Sequence, residues 1–372
     1  RLSGSPHKIR HLEFDCDGKM ECNLVLDTLE LTAGKSYKFP PQVQYKRMKA
    51  PGNCNGYISV RPLDHINSSS WNSSGWTNTD FYSIFEKIAQ TNGTLMASNS
   101  INNGNVSGVT FTNQIGRVLY WVGGNGAWQD TAHWSLLSGG NGGECVPGPF
   151  DSVIVDNNSG PGSVAISLAG ICLAGDFVVN TSTKSVLLNR VSGASPLTVL
   201  ELFGSMHLSP SVDLQGLTTD GGTWIRLRTA PGTHTVKTYA VYIPLLQKTG
   251  IGSIQVLDST RIGTFSQNDG LFTPMGNYFA CLGDHFGDGG TFANAGSRMY
   301  FGRWFGSNSI VVPNSTIYVV GHLGLSGTLN TSGSTVYMTG SQANLSISSS
   351  DTLVHVAYTD PQGAGTMNMS PN

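Results

Sequence analysis

Charge is what this sequence has least of. Only 12% of its 372 residues are Asp, Glu, Lys or Arg, about half the usual ~25%. The formal net charge is −2, and no long basic stretch offers a footprint for nucleic acid, so that partner is excluded. No apolar run approaches the roughly 18–20 residues that span a bilayer, so no membrane span is expected. Six cysteines are present, but no two have the C-x-x-C spacing of a zinc ribbon or a redox motif. Segments with a 3.6-residue apolar stripe are also missing. "FYSIFEKIAQ" (Phe81, Ile84, Phe85, Ile88) is the one candidate helix, and it reads nearly as well as a strand. Glutamate is confined to Glu13, Glu21, Glu30, Glu86, Glu144 and Glu201, with no pair set up for glycoside hydrolysis.

Glycine, by contrast, is abundant: 47 residues, nearly double the usual ~7%. Asn, Ser and Thr fill much of the remainder. Such a surface is solvated by amides and hydroxyls, and these residues favour turns over helix interiors. The cysteine usage fits an oxidised, extracytoplasmic setting with one or two disulfides, with reduced, buried thiols as the alternative. The chain starts at Arg1 and shows no signal peptide, so a processed chain or a segment of a longer one is expected.

Short strand-like runs, each bounded by Gly, Asn, Ser or Pro, fill the chain after residue 160. Among them are "SVAISLAG", "LTVLELFG", "TWIRLRT", "SIQVLDS" and "TVYMTG". Apolar and polar residues alternate within them, the period of a half-buried strand. "VLELFGSMHLSPSVDLQG" and "VVGHLGLSGTLNTSGSTVYMTG" look alike, each a strand, a Gly or Ser corner and another strand. Close corners without intervening helices suit a parallel β-helix, in which each coil buries its apolar row on the next. Tandem β-sandwiches are the alternative all-β reading. The expected organisation is a smaller β-rich domain over 1–116, a junction over 117–159 and a β-helix-like domain over 160–372. The basic cluster "YKRMK" (Tyr45–Lys49) reads as a solvated sheet edge, where lysine discourages strand addition.

The junction "RVLYWVGGNGAWQDTAHWSLLSGGNGGECVPGPFDSVIVDNNS" (Arg117–Ser159) concentrates the aromatic residues. Its glycines permit tight turns and close packing. Trp121, Trp128 and Trp134, with Tyr120 and His133, can cluster into a local core. Asp130 and His133 are spaced to hydrogen-bond within one turn. A catalytic Asp130–His133–Ser135 set lacks any nucleophile-elbow context, and a sugar-stacking platform is the other reading. A structural joint is favoured, with the tryptophans buried between the N-terminal part and the first coils of the C-terminal part.

This motif closely resembles a junction in very large, repetitive cell-surface proteins of Bacteroidota, including gliding-motility adhesins. In that family the pattern runs roughly Y-W-V-G-G-x-G-x-W-x-D-x-x-H-W-S-x-x-S-G-G, then C-V-P, then D-x-V-x-x-D-x-x-S. Tyr120, Trp121, Trp128, Asp130, His133, Trp134, Cys145, Pro147, Asp151 and Asp156 match it. "SRMYFGRWFGSNSIVV" (Ser297–Val312) resembles a downstream strand pair of the family, with an insertion around Trp304. "LDTLELTAGKSYKF" and "ASNSINNGNVSGVTF" look like the end of a preceding repeat, with Gly108-Val109 where the family has Gly-Trp. The resemblance covers most of the chain. It implies an extracellular, adhesin-type β segment exported by the type IX pathway. No sorting domain is evident at the C-terminus, as expected of a fragment.

The resemblance places Cys145 and Cys172 on either side of the first strand after the junction and so implies a bond between them. Cys16 is expected to pair with Cys22 or Cys54. Proteins of Bacteroidota carry O-glycans at Asp-Ser/Thr followed by a small set of residues, and five such sites occur, at Thr28, Thr131, Ser152, Ser259 and Thr352. No cofactor is expected. The weak calcium candidates are Asp284 and Asp288 in "GDHFGDGG", where carboxylates and glycine turns suit a hard cation; Asp151 and Asp156 read as Asp turns. The expected function is a non-catalytic structural and adhesive segment of a long filament at the cell surface, serving adhesion or gliding. Its partners would be neighbouring repeats of the same chain, the secretion and motility machinery, and glycans. The alternative is a carbohydrate-binding or polysaccharide-cleaving β-helix.

Overall fold

The computed structural model describes residues 7–371, apart from 54–55, 64–66, 80–81, 113–114, 194–197, 295, 307–308, 341, 348–354 and 360–365. The protein is nearly all β and folds as a parallel β-solenoid of about 16 coils. The all-β class and the coiled architecture read from the alternation are therefore adopted, and tandem sandwiches are not. The chain divides into two units, Arg1–Arg117 with Cys145–Asp151, and Val118–Glu144 with Ser152–Asn372. The stretch 117–159 is thus shared between them.

The first unit is already a solenoid. One sheet stacks His7–Phe14, Leu24–Leu31, Gln42–Lys49, Ser69–Thr79, Ile88–Ser98 and Val109–Thr112 in that order, all in parallel. A second stacks Gly18–Lys19, Ser36–Phe39, Ile58–Pro62, Ser83–Phe85 and Ile101–Asn102 in the same way. Leu26, Leu29, Leu31, Val43, Tyr45, Met48, Phe39, Trp71 and Phe85 enter one buried core, with a break in the alternation between Leu26 and Leu29 and between Tyr45 and Met48. The rings of Phe39, Tyr45 and Phe85 meet Trp71 edge-on, with centroids 4.8, 5.9 and 6.4 Å away, a favoured aromatic geometry.

Two sequence readings are corrected here. The candidate helix is two strands, ending at Phe85 and starting at Ile88, separated by Lys87 at a φ of 50°. A left-handed residue there ends any helical run. The "YKRMK" strand is interior, between Leu24–Leu31 and Ser69–Thr79. Tyr45 and Met48 point inward, while Lys46 and Lys49 pair outward with Asp27 at 2.6 Å and Glu30 at 3.3 Å. The lysines are cross-strand partners of carboxylates one coil away. Lys46 holds the Asp27 carboxyl below its ordinary range.

The second unit builds three sheets. The longest stacks share in-register inward columns, and period-two alternation sets which residues enter them. Ile254, Phe272, Phe292, Ile310 and Leu329 lie side by side in successive coils, 18 to 20 residues apart, and all are buried. A four-stranded third sheet, Gly126–Ala127, Val164–Leu168, Val186–Arg190 and Val212–Asp213, ends where a short 3-10 turn, Gln215–Gly221, takes the next place. Later coils are shorter because that side is no longer built. The interior also holds Lys248, fully buried, whose Nζ donates to the carbonyls of Thr249 at 3.0 Å and Gly250 at 2.6 Å. Burial lowers its pKa to about 8. In register beside it, buried Gln267 donates to the carbonyls of Gly270 and Thr291. Among the described residues no helix is long and apolar enough to cross a membrane.

Each inward side chain is a shared contact between coils. Ile254→Ala is therefore expected to cost about 2–5 kcal/mol. Met275→Ala, at a side chain that is 56% exposed, should change stability by no more than about 0.5 kcal/mol. Urea unfolding of the two variants checks the contrast; equal losses would contradict the column.

Candidate functional site

The tryptophan-rich stretch folds on itself at the start of the second unit. Val118–Trp121 pairs antiparallel with Trp134–Ser135 and parallel with Ser152–Asp156, so Trp134–Ser135 is the end strand of that sheet. Trp121, Trp128 and Trp134 are 0, 1 and 0% exposed. Trp134 meets both others edge-on at centroid distances of 5.0 Å, and Trp128 leans on Phe177 at 6.2 Å. Indole Nε1 of Trp121 donates to the Gly124 carbonyl at 2.6 Å, and that of Trp134 to the Trp128 carbonyl at 2.8 Å. The His133 ring stacks on Trp121 at 4.7 Å with only 6° between planes. Gly126 makes that possible, since a Cβ there would come within 2.0 Å of His133 Nε2. All these aromatic side chains lie in the second unit. They pack together at the start of its sheet.

Catalytic geometry does not assemble here. His133 Nδ1 donates to the Val122 carbonyl at 2.7 Å, which leaves Nε2 unprotonated in the neutral ring. Asp130 Oδ1 accepts the Ala132 amide at 3.0 Å and caps the short turn Thr131–His133. Its other oxygen is 3.9 Å from His133 Nε2, beyond a hydrogen bond. Ser135 is buried, and its Oγ accepts the Leu137 amide. Tyr120 is half-buried.

Asp151 acts within the first unit, as a clamp on Arg117. It accepts the Arg117 amide at 2.8 Å, Nε at 3.1 Å and Nη2 at 2.6 Å, and also the Gly148 amide at 2.7 Å. A carboxylate so engaged needs no ion. Asp156 accepts the Asn158 amide at 2.8 Å and the Ser138 hydroxyl at 2.6 Å, as an Asp turn does.

The expected disulfides are not formed. Cys172 is a free, buried thiol whose Sγ approaches the Ala169 carbonyl, so it is not bonded to Cys145. Cys16 and Cys22 are free as well, which removes a bond from Cys16 to either Cys22 or Cys54. Cys54 lies outside the described residues. Burial pushes the thiols of Cys172 and Cys281 up to about 12, well above the range in which a thiol reacts as thiolate. Inward alternation explains this: both stand at core-facing positions of strands, where a cysteine packs as a small apolar group.

Of the expected O-glycan acceptors, Thr131 is exposed in its turn, while Thr28 and Ser259 are half-buried. The Ser152 hydroxyl donates to Asp176 at 3.0 Å. Thr352 lies outside the described residues.

Most of "GDHFGDGG" is not a loop. Its first half belongs to the strand Tyr278–Gly287, and Asp288 is exposed in the bend that follows. Alternation puts Asp284 outside and His285 inside. Asp284 takes Arg303 in a bidentate pair at 2.6 and 2.7 Å, which answers its charge without calcium. Among the described residues no three His, Cys, Asp or Glu side chains gather as a metal set. His285 is 0% exposed, and neither ring nitrogen has a hydrogen-bond partner. Phe265, Phe301 and Trp304 surround it at 5.0, 5.5 and 5.5 Å. Burial lowers its pKa to about 3.

Above Asp284 the outer face of this sheet is concave. A β-bulge between Cys281 and Asp284 bends the strand. The hollow, of about 490 Å³, is lined by Tyr278, Leu282, Gly283, Asp284, Tyr300, Gly302, Arg303 and Val320, among others. Gly283 and Gly302 allow the coils to close beneath it. A Cβ on Gly302 would sit 2.5 Å from the carbonyl oxygens of both Leu282 and Gly283. A tyrosine row flanks one side: Tyr278, Tyr300, Tyr318 and Tyr337, with successive ring centroids 5.1, 4.6 and 5.1 Å apart. On the far side Phe286, Phe305 and His322 form a second stacked row, 5.8 and 4.8 Å apart. Sequence reasoning missed this hollow. Its signal was there as tyrosines and glycines recurring about every 19 residues, Tyr300, Tyr318 and Tyr337 with Gly283, Gly302 and Gly321. No family model, curated protein or solved structure matches the chain.

Two outcomes follow from this geometry. Trp128→Ala should cost about 3–5 kcal/mol, as buried aromatic truncations do, and lower the melting temperature of the second unit; an unchanged melt would contradict the buried layer. Stability should also fall on acidification. The unfolded chain binds the His285 proton below ~6.5, whereas the folded protein resists it down to about 3. Between those values this group lowers stability by up to about 1.4 kcal/mol per pH unit. Denaturant titrations of the wild type and His285→Phe between pH 7 and pH 4 should show a shallower slope in the variant.

Proposed function

We propose that the chain is a non-catalytic structural and adhesive segment of a long extracellular filament at a bacterial cell surface. In this reading it serves adhesion or gliding, is exported by the type IX pathway and stacks against neighbouring repeats of the same chain. The observation that carries the reading is the coil stack itself. Parallel backbone ladders and shared apolar columns run through every coil of the second unit's long sheets. A stack of this kind resists bending and extension because each coil is held along its whole length by the next.

The ionisable groups support the same reading. Glu201 is buried between Arg226 and Arg228, which hold its carboxyl below the usual range against the cost of burial. Asp151 and Asp284 are each spoken for by an arginine. These carboxylates stabilise the coils and are not poised as acid and base. A sparsely charged surface with Thr131 exposed at its Asp-Thr site fits surface glycosylation. The five Asp-Ser/Thr sites and the junction motif favour a cell-surface setting.

Single-molecule pulling on the full chain tests the mechanical role. The second unit should yield in regular steps, each releasing about one coil. Incubation with a panel of polysaccharides should release no reducing ends or unsaturated products. Product release would overturn the reading in favour of a polysaccharide-cleaving β-helix.

A further inference from the structure

We propose that the hollow over Gly283 and Gly302 binds a neutral, hydroxyl-rich saccharide laid along the solenoid axis. The proposal rests on reading the chain as an adhesive segment and adds the ligand class and its place.

Three observations select this occupant. The first is charge. Apart from tyrosines and the buried Cys281, the ionisable groups lining the hollow are Asp284 and Arg303, and they neutralise each other in a bidentate pair. A site without net charge gives no long-range pull on nucleic acid, acidic peptide or polyuronate. The second is backbone. The strands beneath are interior to their sheet and paired on both sides, so no peptide can add as an extra strand. The third is the lining. Tyrosine hydroxyls both donate and accept; Tyr278 and Tyr300 line the hollow, Tyr318 and Tyr337 continue their row beyond it, and none of the four hydroxyls has a hydrogen-bond partner among the described residues.

The rings of this row stack on one another, at 10° and 15° between planes for its last three members. They therefore offer edges and hydroxyls to a ligand. Their spacing of 4.6 to 5.1 Å matches about one sugar ring per coil along a linear chain. Leu282 and Val320, 47 and 56% exposed, supply apolar contact for the C–H faces of such rings. The guanidinium of Arg303, on a side chain 57% exposed, stands at the rim with its planar array of donors. A mixed lining of apolar lips and a few fixed polar groups is what orients a small ligand.

The test is a glycan array carrying neutral, sulfated and uronate oligosaccharides, read with the full chain and followed by calorimetry on the strongest binders. Neutral linear oligosaccharides should bind. The double variant Tyr300→Phe/Tyr318→Phe keeps the stack and removes two hydroxyls, and Leu282→Arg blocks the hollow at an exposed position. Both should weaken binding about tenfold or more with the melting temperature unchanged. No binding of any neutral glycan, binding of acidic glycans only, or full affinity in both variants would overturn the proposal. None of those results touches the structural reading, which fails instead if polysaccharide is cleaved.

Discussion

A coil of this protein cannot bury its own apolar edge; only the next coil can. That constraint organises everything else. Each strand must lie parallel and in register with its neighbour, because a slip of one residue would turn the inward column outward. The 18 to 20 residues between Ile254, Phe272, Phe292, Ile310 and Leu329 are the length that returns the chain to the same place. Side-chain identity then repeats along the axis: tyrosine over tyrosine outside, phenylalanine over isoleucine inside. The end strand is where the constraint has no solution within the repeat. At the start of the second unit it is met by the folded-back Trp134–Ser135 strand and three buried tryptophans.

The same constraint explains the polar residues found inside. A coil interior is narrow, and a long side chain pointing inward can reach the carbonyls of its own corner. Lys248 does so, with Gln267 repeating the arrangement one coil later. His285 does not: it replaces an apolar residue in an aromatic layer and remains neutral because nothing there solvates a charge. It is one point at which acid acts on the stack. Outside, carboxylates are answered by basic groups on adjacent coils, as Lys46 answers Asp27 and Arg303 answers Asp284. Few charges are needed because hydroxyl-bearing and amide side chains hydrate the rest.

The coiled architecture was legible in the sequence because short alternating runs and close glycine corners have few other solutions. Burial of the three tryptophans could be anticipated from their clustering among glycines. The first unit's solenoid was not legible: its coils lack an even repeat, and "FYSIFEKIAQ" places apolar residues where a helix would also want them. The inward placement of Lys248 and His285 was hidden because each depends on strand register, which residue type alone does not reveal. Cys172 misled for the same reason, since at a core-facing position it packs instead of pairing. Cys145–Asp151 groups with the first unit, where Asp151 holds Arg117 across 34 residues, a contact that no local pattern encodes.

Distances between spin labels in solution test the stack most directly. Thr233, Ser253, Leu271, Thr291 and Ser309 occupy one register column on successive coils. A label held at Thr233 and a second moved in turn to Leu271, Thr291 and Ser309 should separate by one strand spacing per step, about 4.8 Å. Equal increments along the whole column are the expected result. Distances that fail to grow from coil to coil, or that alternate as in a packed pair of sheets, would contradict the solenoid and everything argued from it.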